Sequence, residues 1–320
     1  MSRRLRIARS LLAGVAIGLL AAGCGAAHAG RTLALPAGDQ LPRSRSSHVV
    51  VVVMENKEAG DVLGSGNAPY LDALARRYGV ATRSYAIRHP SLPNYLALTS
   101  GATHGIASDC TSCHVAAPNV VDQLETAGIS WRAYLEDMPR PCFKGASAGG
   151  YAKRHNPFVY YDDVAGNPAR CRRVVSFGSL AADLRRGSLP TYAWISPNLC
   201  DDMHDCTVRH GDSFLAHLVP ALLRELGPHG FLVVTWDEGR SDAGCCGAAR
   251  GGHIATFVAG PVVRPGARDA RPVDHYGVLR TIEDALGLPP LAAAANARNG
   301  TLAPLFSRPP TRLVRSPRGG

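Results

Sequence analysis

Carboxylates, amides and imidazoles recur in this 320-residue chain where apolar runs stop. Glu55 and Asn56 follow "HVVVVVM", and Asp237 and Glu238 follow "FLVVTW". Asn198, Asp201, Asp202, His204 and Asp205 follow "TYAWISP". His89, Ser91 and Asn94 lie in "SYAIRHPSLPNYLALTSG", and His253 directly precedes "IATFVAG". A single acid at the end of an apolar run is ordinarily a helix cap or a loop residue. Several such ends gathered on one edge make a set of oxygen and imidazole donors suited to a divalent cation such as Mg, Mn, Ca or Zn.

Ser91 offers a second kind of chemistry. Pro93 suits the first turn of a helix, which puts Ser91 at or just before the N-cap. Capping is its plain role. A helix start also presents free N–H groups and the positive end of a dipole, which together favour phosphate or another oxyanion. Beside a cation, a serine there can be deprotonated and attack phosphorus. No Gly-x-Ser-x-Gly elbow surrounds it, which counts against acyl transfer, and the chain has neither a P-loop nor a Gly-x-Gly-x-x-Gly fingerprint.

Alternating elements are needed to bring these residues together. Apolar runs predict strands at 48–54, 80–87, 130–135, 191–196, 231–236 and 254–258. Amphipathic stretches predict helices at 68–78, from about Pro93, and at 120–126, 180–186, 213–226 and 275–286. Strands alternating with helices give an α/β fold with a mostly parallel sheet covered on both faces. Ligands of such sheets bind just past the carboxyl ends of the strands, which is where Glu55, Asn56, Asp237 and Glu238 fall. Residues 30–305 are expected to form one domain.

The termini read differently. Residues 1–29 carry four early arginines, an apolar stretch from Leu11 to Ala22 and Ala27-His28-Ala29, the pattern of a cleaved export signal. "LLAAGC" adds the option of a lipoprotein anchored through Cys24. The segment 306–320, "FSRPPTRLVRSPRGG", is Pro/Arg-rich and is expected to be a basic, solvated tail able to touch anionic surfaces such as a membrane. The formal charge is +10, but these ends hold eight arginines, so the body is close to neutral and a nucleic-acid partner is not expected. Eight cysteines remain beyond Cys24, and an even number in an exported chain favours four disulfides of open connectivity. A redox role for Cys110-x-x-Cys113 and a zinc site are the competing readings.

Six stretches together resemble the bacterial secreted phosphoesterases: "HVVVVVMEN", "HPSLPNYLALTSG", "GGYAKRHNPF", "PNLCDDMHDC", "VVTWDEG" and "DHYGVLRTIEDALGLPPL". That family includes exported acid phosphatases and is similar to phospholipases C within the alkaline phosphatase superfamily. The resemblance covers roughly residues 47–292 and implies a three-layer α/β/α sandwich. It implies hydrolysis of small phosphate esters or phospholipid head groups through a phosphoserine, with a divalent metal ion as cofactor. Matched by motif, Glu55, Asn56, Asp237 and Glu238 would ligate metal, and Ser91 would be the nucleophile. His155 and His204 would contact the phosphate or protonate the leaving group, with Asp202 and His253 as further members. Protonation by that histidine pair predicts an acidic optimum. Some relatives resemble phosphatidylinositol 3-phosphate phosphatases. The alternatives are a phospholipase C-type phosphodiesterase and, in another class, an exported metal-binding protein without activity. Ser91 separates these classes, because a structural cation site needs no serine at a helix start.

Overall fold

The computed structural model describes residues 44 and 46–314. The first part of the chain runs through β1 (Val49–Met54), α1 (Ala59–Val62), α2 (Pro69–Arg77), β2 (Gly79–Tyr85), α3 (Ser91–Ser100), α4 (Val120–Thr126) and β3 (Trp131–Leu135). A small hairpin of β4 (Ser147–Ala148) and β5 (Tyr151–Ala152) precedes α5 (Asp162–Ala165), α6 (Pro168–Cys171) and β6 (Val174–Ser176). Then come α7 (Phe177–Arg186), β7 (Tyr192–Ser196), α8 (Val208–Glu225), β8 (Phe231–Trp236) and β9 (His253–Ala259). Two short strands, β10 (Arg268–Asp269) and β11 (Val273–Asp274), lead into α9 (His275–Leu286).

The large sheet has the order β10-β2-β9-β8-β1-β7-β3-β6, with β11 also paired to β2. Only β9 runs antiparallel to its neighbours. The five valines of β1 account for its central place. Val49, Val51 and Val53 face a core shared with Leu92 and Leu96 of α3, Leu124 of α4 and Ile282 of α9. Val50, Val52 and Met54 face the other core, with Leu71 of α2, Leu180 of α7 and Leu222 of α8. Each buried valine contributes about 1.5–3 kcal/mol, and only a strand covered on both sides uses all five. The result is the expected three-layer α/β/α sandwich.

Register aligns the strand ends. Met54 pairs with Trp236, Val52 with Ile195 and Leu135 with Ser196. Glu55, Asp237 and the loop after Ser196 therefore leave the sheet at one edge. Two expected helices begin earlier than their apolar periodicity indicates. Thr207 starts α8 by accepting the His210 N–H at 3.2 Å, and α7 follows directly on β6, which was too short to read from sequence.

The expected solvated tail needs correction over its described part. Phe306 bridges to Val263, and Leu313 and Val314 are buried, with the Val314 N–H donating to the Ala285 carbonyl at 3.0 Å. Three apolar side chains outweigh the Pro/Arg composition around them. Residues 315–320, the export signal and Cys24 lie outside the described residues. No described helix is long and apolar enough to cross a membrane. All eight remaining cysteines pair, as Cys110–Cys113, Cys142–Cys171, Cys200–Cys206 and Cys245–Cys246.

One buried acid gives the fold a pH dependence. Glu283 of α9 accepts the Leu291 N–H at Oε1, 2.8 Å away, while its Oε2 is buried without a hydrogen-bond partner. Burial is the largest influence on it and pushes its pKa up to about 8. Below about pH 4.5 folded and unfolded chains both hold this proton. Between there and pH 8 the unfolded chain releases it first, so stability falls as pH rises through that window. Glu283→Gln keeps the acceptor and removes the ionisation. Urea unfolding should show the variant gaining on the order of 1–2 kcal/mol over the parent between pH 5 and pH 8. A constant difference across that range would refute this.

Candidate active site

The carboxyl edge of the sheet gathers most of the predicted residues. Glu55 is fully buried just past β1, and its N–H donates to the Asp202 carbonyl at 2.8 Å. Asn56 adopts a left-handed φ of 55°, a conformation asparagine tolerates. That turn aims its N–H at Asp237 Oδ1, 3.1 Å away, and its Nδ2 at Glu55 Oε2, 3.0 Å away. Asn56 thus holds two of the acids in place. Asp237 is tied to the sheet through its N–H, which donates to the Met54 carbonyl at 2.9 Å.

Ser91 stands among them at the start of α3, 2% exposed. Its Oγ lies 3.2 Å from Glu55 Oε2 and 3.4 Å from Glu238 Oε1. The helix starts earlier than expected: Pro90 is the N-cap and Ser91 the first helical residue, with no side-chain cap bond. Asn94 explains the shift. Its Oδ1 accepts the N–H groups of Ile87 and Arg88, and its Nδ2 donates to the Arg88 carbonyl, folding the preceding loop onto the first turn. The Leu92 N–H is taken by Asp109 Oδ1 at 2.9 Å. Tyr95, one turn beyond Ser91, donates to Glu55 Oε1 at 2.5 Å.

His155 and His204 stand close together, with ring centroids 5.8 Å apart. His155 Nε2 lies 3.2 Å from Glu55 Oε1, and Nδ1 lies 3.3 Å from Asp202 Oδ2. The Tyr95 ring stacks on it at 5.4 Å. Complete burial, with Arg154 and His204 close by, holds its pKa well below the usual value. A ring facing carboxylates can offer a donor atom to a cation. His204 Nδ1 is 2.7 Å from Asp205 Oδ1, and its Nε2 is 3.1 Å from an Arg154 nitrogen. Arginine can only donate, so in this arrangement Nε2 accepts and Nδ1 carries the proton toward Asp205.

His253 is not brought into the cluster. The reversed direction of β9 sets it at the same edge, but its Nε2 lies 2.8 Å from the Thr82 carbonyl and its ring stacks on Tyr85. Its N–H donates to Glu58 Oε2. Two further imidazoles, His89 and the unexpected His275, brace the acids. His89 Nδ1 is 2.5 Å from Glu238 Oε2 and its Nε2 is 3.1 Å from the Ser241 carbonyl. His275 Nε2, at 2.6 Å, donates to the carbonyl of Asp237. Position alone could have flagged Tyr95, since residues four apart share a helix face. Nothing local marks His275.

The electrostatics favour a cation. Burial pushes Glu55 well above the usual carboxylate range, reinforced by Asp237 and Asp202. Asp202 is likewise raised well above its ordinary value, by burial first. Asp237 is pushed up to about 8 by burial and then Glu238, and Glu238 to about 7 by burial and then Asp109. Asp202 Oδ2, Asp237 Oδ2 and His155 Nε2 are buried without a hydrogen-bond partner. Glu55, His155 and Asp202 each offer a donor atom within 4.8 Å of the others. Hard oxygens, one neutral imidazole and orphaned buried atoms fit a divalent ion, which would restore the acids to carboxylates.

The phosphoesterase family model matches residues 64–289, just beyond Glu55 and Asn56. The chain belongs to the phosphoesterase family. A phosphatidylinositol-3-phosphatase of Mycobacterium tuberculosis is 35% identical to this phosphoesterase over 253 residues, covering 78% of this chain and 80% of that protein. An acid phosphatase of Aspergillus fumigatus is 30% identical over 253 residues, which is 75% of this chain and 55% of that one. The chain thus spans about half the length of this fungal relative. The crystal structure of the lipoteichoic acid synthase LtaP from Listeria monocytogenes superposes with a TM-score of 0.55, covering 82% of this chain and 80% of that chain at 10% identity. That likeness is one of fold. This phosphoesterase is a hydrolase acting on phosphoric ester bonds.

Proposed function

We propose that this phosphoesterase is an exported, metal-dependent phosphatase that cleaves phosphate monoesters through a phosphoserine at Ser91. The observation that carries this reading is the position of the Ser91 Oγ. It is buried at the start of a ten-residue helix, between two carboxylates and beside the cation-ready cluster. Glu55, Asp202, Asp237 and His155 would hold the metal, with Glu238 against Ser91. Such an ion would supply positive charge where negative charge gathers on the phosphoryl oxygens and would favour the ionised form of nearby oxygens.

The chain's own residues do the rest. Ser91 Oγ gives up its proton to a carboxylate it touches and forms the bond to phosphorus as the P–O bond to the ester oxygen breaks, and the departing oxygen takes a proton from water. His89 and Asn56 keep Glu238 and Glu55 aimed at Ser91. His275 fixes the carbonyl of Asp237, which locks the turn carrying both that acid and Glu238. Water then cleaves the phosphoserine. The name of the mycobacterial relative supports phosphoinositide head groups as one substrate class. Phosphate release from a soluble monoester, a diester and phosphatidylinositol 3-phosphate, with metal analysis of the same protein, tests the reading. Rapid quenching should trap a phosphate ester at Ser91, and turnover without one would overturn the covalent route.

A further inference from the structure

The loop between β8 and β9, residues 239–252, reads "GRSDAGCCGAARGG" and holds five glycines. A segment so rich in glycine gives up much conformational freedom when it is ordered, so its place must be fixed from outside. Its later part is tied to the segment before α3. There the Arg250 N–H donates to the Ile87 carbonyl at 2.8 Å and the Gly251 N–H to the Ala86 carbonyl at 3.0 Å. Its first part converges on the side chain of Glu58, a partly buried residue in the turn after β1.

Glu58 Oε1 accepts the Arg240 N–H at 2.8 Å, the Ser241 N–H at 2.9 Å and the Ser241 hydroxyl at 2.8 Å. Its Oε2 takes the His253 N–H at 3.2 Å. Gly239 and Gly252 leave room for the carboxylate. A Cβ on Gly239 would lie 2.4 Å from Glu58 Oε1, and one on Gly252 would lie 2.6 Å from Gly239 Cα. Arg240 adds an ion pair with Asp61, but the guanidinium is exposed and such pairs contribute little. Hydrogen bonds to an ionised acceptor are the stronger restraint. What they restrain bears on Ser91. The Ser241 carbonyl lies 3.1 Å from His89 Nε2, and the other ring nitrogen, Nδ1, lies 2.5 Å from Glu238 Oε2. A carbonyl only accepts, so Nε2 donates and the ring is set with Nδ1 toward Glu238. Glu238 Oε1 is in turn 3.4 Å from Ser91 Oγ. Contacts thus run unbroken from Glu58 through Ser241 and His89 to the serine.

We propose that Glu58 is a positioning residue for the reaction. It fixes residues 240–241 so that the Ser241 carbonyl sets the His89 ring, and the ring sets Glu238 against Ser91. This rests on the phosphatase reading above. Glu58 acts through the loop and not at the phosphoryl group. With the loop released, the His89 ring is free to turn or to carry its proton on the other nitrogen, and Glu238 loses a contact that aims it. A displacement of about 1 Å at reacting groups costs on the order of 100-fold in rate.

The test compares the parent with Glu58→Ala and Glu58→Gln, both checked for folding by circular dichroism and for unchanged metal content. On an aryl phosphate monoester, Glu58→Ala should lower kcat roughly 30-fold while KM moves by less than about threefold. Glu58→Gln keeps an oxygen for the loop donors and should bring kcat back to within about fivefold of the parent. Nitrogen-15 NMR of imidazole-labelled protein reads the link itself. The His89 Nε2–H signature should be present in the parent and in Glu58→Gln, and lost in Glu58→Ala. In a His89→Ala background, Glu58→Ala should cost less than about a further twofold. Glu58→Asp keeps the charge but ends one carbon short of the loop, and it takes the place of Glu58→Ala, with the same expected results, if the alanine variant does not fold. A merely structural glutamate would cost the same factor with and without His89, or leave the His89 signal unchanged, and either result overturns the proposal. The two readings fail separately. A parent that hydrolyses no monoester defeats the phosphatase reading, and the His89 spectra still decide whether Glu58 sets the ring. An active parent matched by Glu58→Ala in kcat and in the His89 signal defeats the positioning role alone.

Discussion

Ser91→Ala should give a folded protein whose monoester hydrolysis is down by at least a thousandfold, about 4 kcal/mol of lost transition-state stabilisation. The geometry sharpens the expectation, because the serine hydroxyl does not cap its helix. A lost cap would cost about 0.5–2 kcal/mol of stability, and that term is missing here. The hydroxyl instead donates into the Glu55 and Glu238 carboxylates. Stability should therefore move little while turnover collapses. Thermal unfolding and initial rates on the same sample check both halves. A folded variant keeping more than about a tenth of parental activity, a loss under 1.4 kcal/mol, would remove Ser91 from the role of nucleophile.

Glu55→Gln should change metal content and stability in opposite senses. It removes an oxygen ligand's charge from the centre of the cluster, so bound divalent metal and turnover should both fall by about a hundredfold or more. In metal-free protein the same change should stabilise. Burial, with Asp237 and Asp202 alongside, raises Glu55 well above the carboxylate range, so at neutral pH folding must take up a proton there, and glutamine removes that cost. Elemental analysis, rates and unfolding with and without chelator give the three readouts. Equal metal content in parent and variant would contradict Glu55 as a ligand. Full turnover in verified metal-free parent would take the cation out of the mechanism.

Much of the scaffold was legible because it depends on local pattern. Five consecutive valines require a strand covered on both faces, and "FLVVTW" gave the bounds of β8 outright. The acids after those runs could be placed on one edge because parallel register carries strand ends to a common level. The grouping of His155 and Asp202 with Glu55 was not legible in the same way. His155 sits in a 3-10 turn inside an irregular segment, and no periodicity reports which way such a turn faces. The start of α3 was misjudged for a related reason: the Asn94 side chain, not the helix propensity of Pro93, decides where the first turn begins. His253 shows the limit of reasoning from edges, since reaching the right edge does not turn a ring toward the site.

The four disulfides border loops that carry the chemistry. Cys110–Cys113 adjoins Asp109, Cys200–Cys206 encloses Asp202, His204 and Asp205, and Cys142–Cys171 spans Arg154 and His155. Cys245–Cys246 lies in the loop that follows Glu238. The sheet beneath is closed by its two apolar cores, with Cys110 and Cys113 packed against one of them. Such cross-links limit the conformations open to the loops they close, so their absence would be felt at the rim before it was felt in the scaffold. A chain still surrounded by cellular thiols would then have its architecture without its full catalytic rim. Under the proposed export, those loops would be fixed only once the chain reached an oxidising space.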